Sequence, residues 1–174
     1  LSYIFGRLDE GIPFSQAVLE AREKGFTEPD PRDDLSGMDV ARKALIIARE
    51  AGMTLNLDDV ICEGALPDSF DTSGTVEEFL ARLPEIDEWY KKRITAVKAA
   101  GNVLRFVGTI TDGRAAAGQV EVPQDGPLAV ITGGSNAFVF TTRYYSPIPL
   151  VIHGYGAGAD VTAAGVFADI LRTA

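Results

Sequence analysis

The hydrophobic period of this chain changes once, and that change limits what the chain can fold into. Up to about residue 100 the apolar residues recur at helical spacing; from Val103 they alternate. Leu1, Ile4, Phe5 and Leu8 mark a helix over 1–10, ended by Gly11 and Pro13. Phe14 to Lys24 reads as a second, with Ala17, Val18 and Ala21 on one face and Gly25 as its stop. A third runs from Gly37 to Ala51, with Val40, Ala44, Ile47 and Ala48 turned inward and Gly52 past its end. An irregular, turn-rich stretch covers 55–75. Helices are then predicted over 76–83 and 85–100, divided at Pro84, a residue suited to a first helical turn. Ile86, Trp89, Tyr90, Ile94 and Val97 give the latter a broad apolar face, read as core, with Lys91, Lys92 and Arg93 on its wet side.

Past that point Leu104, Phe106 and Ile110 alternate with Arg105 and Val107 in a strand over 103–110. Asp112-Gly113 is a two-residue hairpin signal, and a partner strand over 115–122 follows. Further strands are predicted over 128–132, 137–142 and 150–153, then a Gly-rich turn and a final helix over 160–172. Helices first and strands afterwards argue an α+β fold, and the short turns predict mostly antiparallel pairing. No internal repeat or low-complexity tract is visible.

Composition removes several function classes. The 174 residues, 46% of them hydrophobic, suffice for one domain with its own core. A formal net charge of −9 without a basic patch argues against a nucleic-acid partner. Cys62 is alone, which excludes an intrachain disulfide and a Cys-based zinc site. His153 is also alone and reads as a strand-end residue. No apolar run approaches the length of a membrane span and no signal peptide is visible, so no membrane association and a cytoplasmic location are expected. The chain opens at Leu1 inside an apolar segment and reads as a fragment.

Residues 24–43 hold the densest chemistry. Glu28, Asp30, Asp33 and Asp34 crowd together, opposed locally only by Arg32, and Pro29 and Pro31 argue for a stiff, non-helical loop. Ser36 is the expected N-cap of the following helix, with Asp39 three residues on as in a capping box. Asp39 and Lys43 lie four apart and share one helical face. A carboxylate and an amine side by side, fed by an acidic loop, would grip an ammonium group and deliver a proton nearby. The plainer alternative is a cap, a surface ion pair and a solvated turn. An EF-hand is excluded, because Leu35 and Ala41 stand where its Gly and Glu belong.

Gly154-Tyr155-Gly156-Ala157-Gly158-Ala159 satisfies G-x-G-x-x-[GA] by letter. No βαβ unit surrounds it, and the acidic residue that would hold a ribose falls beyond the last residue, so a Rossmann site is rejected here. Two readings stay open: a tight strand-to-helix turn, or backbone N–H groups facing a cofactor or substrate.

The run EPDPRDDLSGMDVARK resembles the signature of the homoserine dehydrogenases. LSYIFGRLDEG and YYSPIPLVIHGYGAGADVTAAGVFADILRTA are similar to the same family, in detail to the homoserine dehydrogenase part of bifunctional aspartokinase–homoserine dehydrogenases. The resemblance covers the whole chain and is weakest over 56–100. It implies a mixed, mostly antiparallel sheet with helices on one face, and a homodimer. It implies a substrate-binding and dimerisation domain over 1–153. Residues 154–174 would pack on a nucleotide-binding domain that precedes Leu1. The implied reaction interconverts L-homoserine and L-aspartate 4-semialdehyde with NAD(P), without a metal. By the same resemblance Glu28 and Asp39 bind the substrate ammonium and Lys43 exchanges a proton with the C4 oxygen. Asp34 and, less centrally, Asp33 support the site, and Gly25 approaches through its backbone. Gly156 and Gly158 would face the nicotinamide end of the cofactor. Tyr155 matches the bifunctional branch. The alternative is a non-enzymatic, amino-acid-binding regulatory or dimerisation module. A magnesium-dependent phosphoryl-transfer site is a weaker option, since no P-loop accompanies the carboxylates.

Overall fold

In the computed structural model, which describes residues 1–156 and 159–173, the helical period of the first half folds largely as its spacing predicts. Helices α1 (Ser2–Asp9) and α2 (Phe14–Glu23) bury Phe5, Phe14 and Val18 against α6 (Asp87–Ala99). The Phe14 and Tyr90 rings stack with centroids 4.2 Å apart. The Tyr90 hydroxyl donates to the carbonyl of Ala65, whose N–H donates to the carbonyl of Leu35 at 2.7 Å. Burial pushes the Tyr90 phenol up from its ordinary pKa. The aromatic core is thereby tied to the turn that carries the acidic residues.

That turn departs from the sequence-based expectation. Pro31 does not keep the stretch extended; it occupies the first position of a short helix, α3 (Pro31–Leu35). A proline lacks only an N–H that the first turn would leave unbonded, so it begins a helix as readily as it breaks one. Asp30 caps α3 by accepting the Arg32 N–H at 3.0 Å. Ser36 consequently ends α3 rather than capping α4 (Met38–Glu50). Its hydroxyl donates to the Asp33 carbonyl at 2.6 Å and accepts the Met38 N–H at 3.2 Å. The N-cap of α4 is Gly37, left-handed at φ 75°, and the expected capping box with Asp39 is absent. A Cβ on Gly37 would lie 2.3 Å from the Phe106 ring, so no larger residue fits there without moving that ring.

Strands β2 (Asn102–Thr111) and β3 (Arg114–Pro123) form the predicted hairpin, with positive φ at both Asp112 and Gly113. A two-residue strand that periodicity could not reveal, β1 (Ile61–Cys62), joins β3 in parallel. The resulting order is β1-β3-β2. Leu104, Phe106, Gly108 and Ile110 share one face of β2. Leu104 and Phe106 meet the cluster built by α1, α2 and α6, whereas Ala115 and Ala117 of β3 meet α4. Helices therefore cover one face of this sheet, as expected of the α+β class. Gly108 lets α4 lie close, since a Cβ there would meet Ala44 Cβ at 3.2 Å and Val40 Cγ1 at 3.3 Å.

Among the described residues β4 (Ser135–Phe140) and β5 (Leu150–Tyr155) pair antiparallel in a second sheet instead of extending the first. Residues 128–132 form turns, not the predicted strand: Ile131 N–H bonds back to Leu128 O, and the Leu128 and Ala129 carbonyls accept from Arg105. Arg105 itself is not on a wet face. It is 5% exposed and pairs with Asp9 at 2.7 Å. Trp89, expected in the core, is 39% exposed beneath the Arg93 guanidinium, because the buried stripe of α6 runs Tyr90, Ile94, Val97. The deepest residues of α4 are Ala41, Ala44, Leu45 and Ala48, which leaves Val40 and Ile47 half-buried. Helix α7 (Ala159–Thr173) and β5 bury no residue against the rest.

Candidate active site

Helix α4 leads its N-terminal turn to the rim of a cavity of about 570 Å³. Asp34, Asp39, Val40 and Lys43 line it from α3 and α4, Phe106 and Gly108 from β2, and Asn136, His153 and Gly156 from β4, β5 and the residue after β5. Lys43 Nζ lies 2.7 Å from Asp39 Oδ2, as their spacing predicts. The two side chains are 59% and 66% exposed, so the pair contributes little to stability and stays accessible to a ligand. Dual placement on one helical turn holds an acid and an amine toward the same space.

The acidic stretch enters the cavity through Asp34. Its Oδ2 accepts the backbone N–H of Glu28 at 2.8 Å, which fixes the loop bearing Glu28 one hydrogen bond from the cavity wall. The Glu28 carboxylate is exposed and does not line the cavity. Asp33 is also exposed and outside it; its carbonyl receives the Ser36 hydroxyl. Gly25 stands away from the cavity and ends α2: it has φ 70°, its N–H bonds to Arg22 O, and the next N–H bonds to Ala21 O. The structure thus brings Asp34, Asp39, Lys43 and Gly156 together and leaves Gly25, Glu28 and Asp33 outside. Gly158 lies outside the described residues.

Three cavity residues escaped the sequence reading. Asn136 stood among turn-forming letters but belongs to β4, where it pairs with Gly154. His153 pairs with Ala137. Arg105 reaches the cavity from β2 while its guanidinium is held by Asp9 and the carbonyls of Leu104, Leu128 and Ala129. Alternation alone could not show that the second face of β2 is covered.

Gly154 and Gly156 carry no side chain where they border the cavity, which would leave room for a flat ring such as a nicotinamide. A Cβ at Gly154 would meet nothing within 4 Å, leaving open backbone beside the cavity. At Gly156 a Cβ would meet Asn136 Nδ2, so a side chain there would make that amide turn away. Among the described residues no group of three or more metal-ligating side chains converges, and no helix is long and apolar enough to cross a membrane.

The homoserine dehydrogenase family profile matches residues 1–171. The bifunctional aspartokinase/homoserine dehydrogenase of Haemophilus influenzae is 57% identical over 173 residues, covering 99% of this chain and 21% of that protein. Its counterpart from Buchnera aphidicola is 52% identical, again over 99% of this chain and 21% of its own length. The chain therefore spans about a fifth of the length of the curated relatives it matches. A Candida auris protein of unknown function superimposes with a TM-score of 0.91 at 39% identity, over 99% of this chain and 50% of that one. The Staphylococcus aureus homoserine dehydrogenase shares the fold at a TM-score of 0.75 and 23% identity, covering 99% of this chain and 40% of that one. With the family profile matched over residues 1–171 and relatives more than half identical over nearly all of it, the chain belongs to the homoserine dehydrogenase family.

Proposed function

We propose that this chain is the substrate domain of an NAD(P)-dependent homoserine dehydrogenase, interconverting L-homoserine and L-aspartate 4-semialdehyde. The observation that carries the reading is the Asp39–Lys43 pair, which lines a cavity that Gly156 also lines. Asp39 attracts the substrate ammonium, with Glu28 contributing a second carboxylate from the loop that Asp34 anchors. Lys43 Nζ gives a proton to the C4 oxygen in the reductive direction and takes it from the hydroxyl in the oxidative one. The nicotinamide cofactor, when bound, supplies or accepts the hydride at C4. The Asn136 amide lies against the Gly156 backbone, and both line the same cavity. The regulatory-module alternative gains no support from the relatives, which are named for the enzyme.

The boundary between a substrate region over 1–153 and a docking segment over 154–174 is part of the same proposal. Leu150, Ile152, Tyr155, Phe167 and Leu171 are all exposed. Their apolar surface suits contact with a nucleotide-binding part of a longer chain or with a second subunit of a homodimer. On this reading the isolated 174 residues fold but do not turn over homoserine.

Steady-state kinetics of the full-length enzyme test the assignment. Lys43→Ala should lower kcat by roughly 10²–10⁴, the range for losing a general acid–base. Asp39→Asn and Glu28→Gln should raise KM for homoserine, with melting temperatures near wild type. Wild-type kcat for Lys43→Ala would remove the proton-transfer role and leave the exposed-ion-pair reading in its place.

A further inference from the structure

Arg32 stands inside the acidic stretch yet faces away from the cavity, and its contacts show what holds that stretch still. Its Nε lies 2.9 Å from Asp30 Oδ1 and its Nη2 2.6 Å from Asp30 Oδ2, a fork-on-fork pair. Its Nη1 donates to the carbonyls of Thr72 and Gly74, each at 2.9 Å. The guanidinium lies 5.5 Å from the centroid of the fully buried Phe79 ring. The Arg32 guanidinium holds the Asp30 carboxyl below the usual carboxylate range. One planar cation thus joins the cap of α3 to a turn some forty residues later in the chain.

That distant turn is itself built to receive it. Asp71 accepts the Ser73 N–H at 2.9 Å, and Arg82 donates to the Ser73 carbonyl. Thr75 and Glu78 form a capping box at the start of α5 (Val76–Arg82). Gly74 takes φ 86°, which turns its carbonyl back toward Arg32, and a Cβ there would lie 2.6 Å from Glu78 Oε2. The chain of contacts runs from the α5 cap through the Thr72 and Gly74 carbonyls, Arg32 and Asp30 into α3. From α3, Asp34 holds the Glu28 backbone. The 72–74 turn and the α5 cap therefore supply the outer support of the loop that bears Glu28.

We propose that Arg32 is a positioning residue of the substrate site: by pinning α3 to the 72–74 turn it sets where Asp34 and the Glu28 loop stand. The proposal rests on the substrate-site reading above. A lysine keeps the charge but cannot span a carboxylate and two carbonyls with a rigid fork. In the full-length enzyme Arg32→Lys should raise KM for homoserine about tenfold while kcat changes less than about threefold, the signature of lost ground-state placement. KM for the cofactor should not move. Gly74→Ala displaces the accepting carbonyl without touching the guanidinium. It should raise KM for homoserine in the same way, and it carries the test if Arg32→Lys fails to fold. Glu28→Gln and Asp39→Asn, measured alongside, separate two failures. If they raise KM for homoserine and both pin variants keep a wild-type KM, with only a lower melting temperature, the pin is structural and the proposal falls. If none of the four changes KM, the substrate site itself is wrongly placed and the proposal falls with it.

Discussion

The two walls of the cavity are made differently. The α3–α4 wall is finished by the chain's own contacts: Gly37 sits against Phe106, Asp34 is bonded to Glu28, Arg32 is pinned to the 72–74 turn, and Leu35 is tied through Ala65 to Tyr90. Among the described residues the β4–β5 wall is held by its own ladder and a few bonds near its start, such as Ser2 Oγ to the Gly133 carbonyl at 2.7 Å. Its strand β5 and the helix that follows keep their apolar side chains exposed. The α3–α4 wall is tied to the rest of the fold by several contacts, whereas the wall beside the glycine turn is left with exposed apolar side chains. On the proposed function, such a division would put Asp39 and Lys43 on the well-tied side and a cofactor on the open side.

Substitutions on either side should sharpen this contrast. The largest effect is expected behind the stiff wall. Phe14→Ala removes a fully buried ring stacked on Tyr90 and should cost about 3–5 kcal/mol in stability, read as a fall in melting temperature. A fall of only a degree or two would mean that this wall is not held by the aromatic core. Gly37→Ala comes next. A left-handed alanine and a Cβ pressed on Phe106 together should cost about 2–4 kcal/mol. Because Gly37 opens α4, the same variant should impair turnover, measured on the fraction that remains folded. The smallest effect belongs to the open side. Ile148 is 80% exposed, and Ile148→Ser should change the stability of the isolated 174 residues by less than about 0.5 kcal/mol. A loss comparable to that of Phe14→Ala would erase the distinction between the walls.

The parts of the fold that were legible in the sequence rest on short-range geometry. Asp39 and Lys43 meet because residues four apart on a helix must, and Asp112-Gly113 turns because both residues accept positive φ. What was hidden depends on distant chain. Ser36 lost its role as a cap only because Pro31 starts a helix immediately before it, a choice made by Asp30 and Arg32 together with the 72–74 turn. Arg105 looked solvent-facing until the turns over 126–131 closed on it. Glu28, prominent in the signature, stands outside the cavity lining, and Asn136, one residue before the predicted strand over 137–142, stands within it. Site residues on one helix were visible early; the wall they face was a product of tertiary placement.

The position of α4 in the sheet carries a consequence for synthesis. Asp39 and Lys43 leave the ribosome well before the surface that seats their helix, since α4 rests on Gly108 of β2 and on Ala115 and Ala117 of β3. Helix α4 can settle only once the nascent chain has emerged through Pro123, the last residue of β3. During that interval the stripe of Ala41, Leu45 and Ala48 has no sheet to cover it, and the pairing of Asp39 with Lys43 waits on the packing of their helix.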